Sequence, residues 1–210
     1  VSRRSGVLEL AVLGLLADTP MHGYELRKRL NTVLGSFRAF SYGSLYPCLK
    51  DMVRRGWLAE DNATSDGRPS NRRSKIVYKL TADGKEALQE LLAEAGPSAW
   101  EDENFGVHFA FFAQTDADTR MRILEGRRNR LEERLDGVRS ALGRTRERLD
   151  SYTIELQRHG LESVEREVRW LNELIDAERN GTGTDRSTIH GTATPNEDAT
   201  DPSVHPATSK

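Results

Sequence analysis

Leu8, Ala11, Val12, Leu15 and Leu16 recur at three- and four-residue spacing, and this period predicts a helix over 7–17 with a broad apolar face. Asp18-Thr19-Pro20 ends it. A second helix is predicted over 23–34, with Tyr24, Leu26, Leu30, Val33 and Leu34 as core positions and Gly35 as a left-handed C-cap. After a short connection holding Phe37 and Phe40, a third helix is predicted over 42–55, with Leu45, Leu49, Met52 and Val53 inward and Gly56 as its stop. Pro47 has no amide hydrogen to donate, so it belongs in the first turn, which puts the start near Gly43 or Ser44.

Two strand-like segments follow, over 57–60 and 75–80. In the second, Ile76, Tyr78 and Leu80 alternate with Lys75, Val77 and Lys79. Between them runs a segment rich in Asn, Ser, Gly and Pro that carries Arg68, Arg72 and Arg73, the expected tip of a long basic hairpin. Thr81 is placed to cap a fourth helix over 82–95, with Ala87, Leu88, Leu91 and Leu92 inward.

The back half has a different rhythm. Phe105, Phe109, Phe111 and Phe112 crowd into one short buried helix. A very long helix is then expected from Thr115 or Asp116, because Leu124, Leu131, Leu135, Val138, Leu142, Leu149, Tyr152 and Leu156 follow one heptad track. Arg128 and Thr145 are the only non-apolar residues on that track. His159-Gly160 is read as its end, before a last helix over 161–179 with Leu161, Val164, Val168, Leu171 and Ile175. Residues 180–210 have no aromatic residue and are rich in Thr, Asp, Pro, Gly and Ser, so they are expected to be disordered.

The order helix, helix, turn, helix, basic hairpin, capping helix is that of a winged helix-turn-helix. The expected fold is mainly α: a three-helix core with a two-stranded wing over 1–95, then a coiled-coil-like helical dimerisation region over 96–179, then the tail. Charge sharpens the picture. Residues 1–80 carry 14 Lys/Arg against 7 Asp/Glu, whereas residues 81–179 carry 15 against 22. A basic front on an acidic scaffold suits a head that binds double-stranded DNA. The expected contacts are Ser41, Tyr42, Ser44, Tyr46, Pro47 and Lys50 on the third helix, in the major groove, with Arg68, Arg72, Arg73 and Lys75 on the wing. Tyr42 and Tyr46 can also be read as half-buried core, and the wing arginines as a solvated loop. Trp57 reads as a core strand residue and His22 as a capping or packing residue.

Two copies would place two reading helices about 34 Å apart, one turn of DNA, so a homodimer is expected, built on Leu131, Leu135, Val138, Leu142, Leu149 and Leu171. Folding of 161–175 back onto the long helix is the other way to cover such a seam. Trp100, Phe105, His108, Phe109, Phe112 and Trp170 could hold a planar effector where the halves meet, or could be interdomain or dimer core.

Several classes drop out. There is no Gly-rich phosphate loop and no G-x-S-x-G elbow, so an enzyme is not expected. No cofactor or metal is expected: Asp102, Glu103 and His108 match no familiar ligand spacing. The single cysteine, Cys48, excludes an internal disulfide and reads as a structural thiol, a redox sensor being the alternative. The best apolar run, 8–17, is short, contains Glu9 and lacks a small-residue cleavage site, so a membrane span and a signal peptide are not expected and a cytoplasmic protein is. The remaining competitor is a protein-interaction adaptor built on a winged helix and coiled coil.

Taken together, Leu8-Glu9-Leu10, Ala11 to Leu16, Pro20-Met21-His22-Gly23-Tyr24-Glu25-Leu26 and Ser44-Leu45-Tyr46-Pro47 with Leu49 and Gly56 resemble the PadR family of transcriptional regulators. Tyr78-Lys79-Leu80-Thr81-Ala82-Asp83-Gly84 continues the likeness through the wing strand and the fourth-helix cap. Gly160-Leu161 and Trp170-Leu171-Asn172-Glu173-Leu174 look like the dimerisation region of that family. The resemblance implies a dimeric repressor, often released from DNA by a small effector.

Overall fold

The computed structural model describes residues 3–35, 42–62, 76–145 and 150–181. Helix α1 (Arg3–Asp18) is enclosed around its whole circumference over its central stretch, with each residue from Val7 to Leu16 buried. Its near-continuous apolar run is what such a central helix requires. Two residues later Met21–His22 form strand β1, a bridge too short for any hydrophobic period to announce. Helix α2 (Gly23–Leu34) follows and buries Leu26, Leu30 and Leu34 at four-residue spacing. Tyr24 and Val33, expected inside, are 64% and 41% exposed. Tyr24 lies about 160° around the helix from Leu26, so one apolar stripe cannot include both. Gly35 is not the left-handed cap expected of it. Its φ is −62°, and its N–H continues the helix by donating to Asn31 O at 2.9 Å.

Helix α3 (Tyr42–Arg54) buries Leu45, Leu49 and Met52. It starts ahead of the expected position, so Pro47 lies beyond its first turn and leaves the Gly43 carbonyl without an i+4 donor. Both residues are exposed, where water can satisfy that oxygen. Gly56, at φ +77°, is the left-handed stop. There Gly56 N donates to Val53 O at 3.0 Å and Trp57 N to Met52 O at 2.9 Å, turning the chain into the sheet.

Strands β2 (Leu58–Asn62) and β3 (Ile76–Leu80) pair antiparallel from Leu58↔Leu80 to Asn62↔Ile76. β1 adds to the other edge of β3 through Met21↔Tyr78 and His22↔Val77, giving the order β1-β3-β2. Helix α4 (Ala82–Ala93) is capped as expected: Thr81 Oγ1 accepts from Gly84 N at 3.0 Å. The same hydroxyl lies 2.6 Å from Gly56 O and 3.0 Å from Trp57 O, tying the α3 stop to the α4 start.

Beyond α4 come α5 (Pro97–Trp100), α6 (Asp102–Ala110), a 3-10 turn at Phe112–Gln114, α7 (Ala117–Thr145) and α8 (Ser151–Arg179). The last helix starts after Asp150 rather than after His159-Gly160. Asp150 accepts from Tyr152 N and Thr153 N at 2.9 and 3.0 Å, and so starts a new helix. Gly160 costs that helix only about 1 kcal/mol and is passed without interruption. Because the chain reverses here, Tyr152 and Leu156 leave the α7 track and stand 87% and 68% exposed.

α8 packs along α7, and Leu124 and Leu131 share a core with Leu171 and Ile175. Ion pairs join the two helices: Arg120–Glu178 at 2.7 Å, Arg127–Glu167 at 2.8 Å, Arg139–Glu165 at 2.6 Å and Arg179–Glu125 at 2.8 Å. Arg127 is the most deeply placed, at 8% side-chain exposure, and it also pairs with Asp102 and donates to Trp100 O at 3.2 Å. Helix α6 serves both cores: Val107 and the following Phe111 pack into the α1–α4 core, whereas Phe105 packs into the α7–α8 core. No helix among the described residues is long and apolar enough to cross a membrane.

Candidate nucleic-acid interface

On α3 the amphipathic pattern dictates what faces out. Leu45, Leu49 and Met52 take the inner face, which leaves Ser44, Pro47 and Lys50 exposed on the outer one. Tyr46 lies between. It is half-buried and packs against the core, its ring and hydroxyl 3.3–3.4 Å from where a Cβ on Gly23 would sit. The Tyr78 ring comes to 3.4 Å of the same point, so the missing side chain at Gly23 admits both tyrosines. Tyr42 is the first residue of α3, with its side chain outside those described. Ser41, Arg68, Arg72, Arg73 and Lys75 lie outside the described residues.

A surface that the sequence reading missed lies on α2. Tyr24, Arg27, Lys28, Asn31 and Thr32 line a shallow depression of about 270 Å³. The Arg27-Lys28-Arg29 run was the available signal, and it was obscured by placing Tyr24 in the core. His22 occupies the N-cap position of α2 without a side-chain cap bond, and its Nδ1 is enclosed with no hydrogen-bond partner among the described residues.

The six aromatic residues expected around an effector do not ring one space. Phe105, Phe109, Phe112 and Trp170 fill one another's surroundings, with Phe109–Phe112 at 5.0 Å, Phe109–Trp170 at 5.2 Å, Phe105–Phe109 at 5.8 Å and Phe105–Trp170 at 6.2 Å between ring centres. Trp100 covers Gly126, where its indole occupies the volume of a Cβ. His108 alone of the six borders the cavity of about 450 Å³ between α1, α4, α5 and α6, with Val7, Leu10, Leu91, Glu94 and Asn104 among the other lining residues. Burial holds the His108 imidazole down at about 4.

Among the residues expected at a dimer seam, Leu131, Leu135 and Leu171 are buried within one chain. Leu131 and Leu171 lie in the α7–α8 core, the fold-back cover that the sequence also allowed. Val138 is half-buried, Leu142 has its side chain outside those described, and Leu149 is outside the described residues. Cys48 is half-buried, with its Sγ 3.6 Å from Met52 Sδ. Burial first, then the charge of Glu9, pushes its thiol up to about 12.

Three helices with a strand pair after the third, the third helix presenting its polar face outward, define the winged helix-turn-helix class. Residues 12–90 match the transcriptional regulator PadR-like family. That segment is similar to the PadR-like family of transcriptional regulators. It is 31% identical over 91 residues to the negative transcriptional regulator PadR of Bacillus subtilis, a match that covers 43% of this chain and 48% of that one. A probable transcriptional regulator of Mycobacterium tuberculosis is 29% identical over 84 residues, 40% of this chain and 42% of its own. The chain thus spans a little under half the length of these two curated relatives. The crystal structure of Bacillus subtilis PadR in complex with operator DNA aligns at 20% identity and a TM-score of 0.40, over 82% of this chain and 99% of that one.

Proposed function

We propose that this protein is a DNA-binding transcriptional regulator that acts as a homodimeric repressor on a palindromic operator and is released by a small aromatic or hydrophobic effector. The observation that carries the reading is the outer face of α3, where Ser44, Pro47 and Lys50 stand exposed over a fully buried leucine stripe. A helix held in this way can enter the major groove, its short polar groups on base edges and Lys50 on phosphate. The basic excess of residues 1–80 supports it, as does the role of the Bacillus subtilis relative as a negative regulator. The exposed apolar residues Tyr152, Leu156 and Trp170 on α8 support a second copy as partner. The apolar cavity beside His108 is of a size that suits a small effector.

Gel shifts across a salt series test this reading. Affinity for DNA should fall steeply with salt, and Lys50→Ala should weaken binding and lower the salt slope by about one. An affinity indifferent to both salt and Lys50 would instead fit a protein-interaction adaptor.

A further inference from the structure

Between Val7 and Leu16 every residue but one is apolar or glycine; the exception is Glu9, which is 4% exposed. A carboxylate at that depth needs a cation close by. Arg55, 46 positions along the chain, supplies it. Its Nη2 lies 2.8 Å from Glu9 Oε1 and its Nη1 3.4 Å from Oε2. The same guanidinium brings Nε to 2.9 Å from Asp51 Oδ2 and lies over the Trp57 ring, 3.8 Å from its centre. Only the Nη1–Oε2 contact has hydrogen-bond alignment, so the cluster is held by charge and stacking more than by directed bonds. Burial opposes the charge on Arg55, yet contact with Glu9 outweighs it and raises the guanidinium pKa above its ordinary value. One side chain therefore touches α1, the last turn of α3 and the residue that opens the wing hairpin.

We propose that Glu9 and Arg55 are positioning residues that set the angle of α3 and the hairpin against α1, and so determine discrimination between operator and random DNA without contacting either. The inference rests on the DNA-binding reading above. The apolar stripe of α3 secures the helix against the core but is non-directional, and leucine on leucine tolerates small slides and rotations. A planar guanidinium that must stack on the Trp57 indole and stay against a buried carboxylate tolerates fewer such shifts. Buried ion pairs characteristically add little stability over an apolar pair of the same volume, and they can specify a single arrangement. That asymmetry gives the test.

The probe is the duplex selected by the wild-type chain from a random library, alongside a scrambled duplex of equal length. The double variant Glu9→Met with Arg55→Met leaves no buried charge unpaired. It should remain folded and bind the scrambled duplex as the wild type does, while operator affinity falls about tenfold. Arg55→Lys, which keeps a cation for Glu9 but cannot fork or stack, should lose at least half of that discrimination on a logarithmic scale. An unchanged ratio of operator to scrambled affinity in both variants overturns the proposal. So does unfolding of the double variant, which would make the pair a requirement of the fold itself. An equal loss on both duplexes with a salt slope lower by about one would make Arg55 a phosphate contact and also overturn it. Should the wild type bind neither duplex, the DNA-binding reading fails, an outcome separate from any effect of the variants.

Discussion

Gly14 offers a test of how the two halves are joined, because two opposing effects there predict opposite signs. It lies in the middle of α1, where exchanging glycine for alanine ordinarily gains about 1 kcal/mol of helix stability. A Cβ at this position, however, would collide with Phe111 Cε1 and come within 2.6 Å of Cδ1 and 2.8 Å of Cζ. Phe111 is 4% exposed and packed in the same core as Val107, so its ring has little room to retreat. Overpacking of this kind costs about 1–3 kcal/mol and should outweigh the propensity gain. Gly14→Ala is therefore expected to destabilise the chain by up to about 2 kcal/mol, at about 2–4 °C of midpoint for each kcal/mol. Phe111→Leu opens the space, so the double variant should be more stable than the sum of the singles by about 1 kcal/mol. Urea unfolding of the full chain, followed by circular dichroism, measures all four species. Stabilisation by Gly14→Ala, or strict additivity, would refute the packing of α1 on Phe111.

Three further outcomes follow from single groups. The unfolded chain takes up the His108 proton near pH 6.5 and the folded chain only near 4, so stability should fall by about 3 kcal/mol as pH drops through that window. His108→Gln should flatten that part of the profile, and an unchanged profile would show that burial does not depress this imidazole. Thr81→Val removes the acceptor of Gly84 N and should cost about 1 kcal/mol in thermal unfolding; an unshifted midpoint would mean that the cap contributes nothing. With its thiol pushed up to about 12, Cys48 should react with iodoacetamide at pH 8 about 100-fold more slowly folded than unfolded, and equal rates would contradict its burial.

Where one helix face was buried and both ends carried signals, the sequence was legible. α2 occupies the predicted span, α4 ends two residues short of its own, and α3 differs by a residue or two at each end. Thr81 is the cap it was expected to be. The failures have physical causes. β1 is two residues long and has no period to read. A heptad track through Leu142 and Leu149 masked the stronger local signal of Asp150 as an N-cap, so the hairpin of α7 and α8 was read as one long helix with a later break. Aromatic clustering showed that Phe105, Phe109 and Trp170 would meet, but not that they would fill the space between them. Tertiary pairing left one faint trace, the lone Glu9 in an apolar run, whose partner 46 residues on no local pattern could name.

Selection of bound duplexes from a random library by the purified full chain bears most directly on the central claim, since it reads domain, dimer and partner together. The outer face of α3 in a twofold pair predicts enrichment of a palindrome with half-site centres one helical turn, about 10 base pairs, apart, or a multiple of it. Recovery of no enriched sequence, at low salt and with folded protein, would contradict a DNA-reading function for this chain.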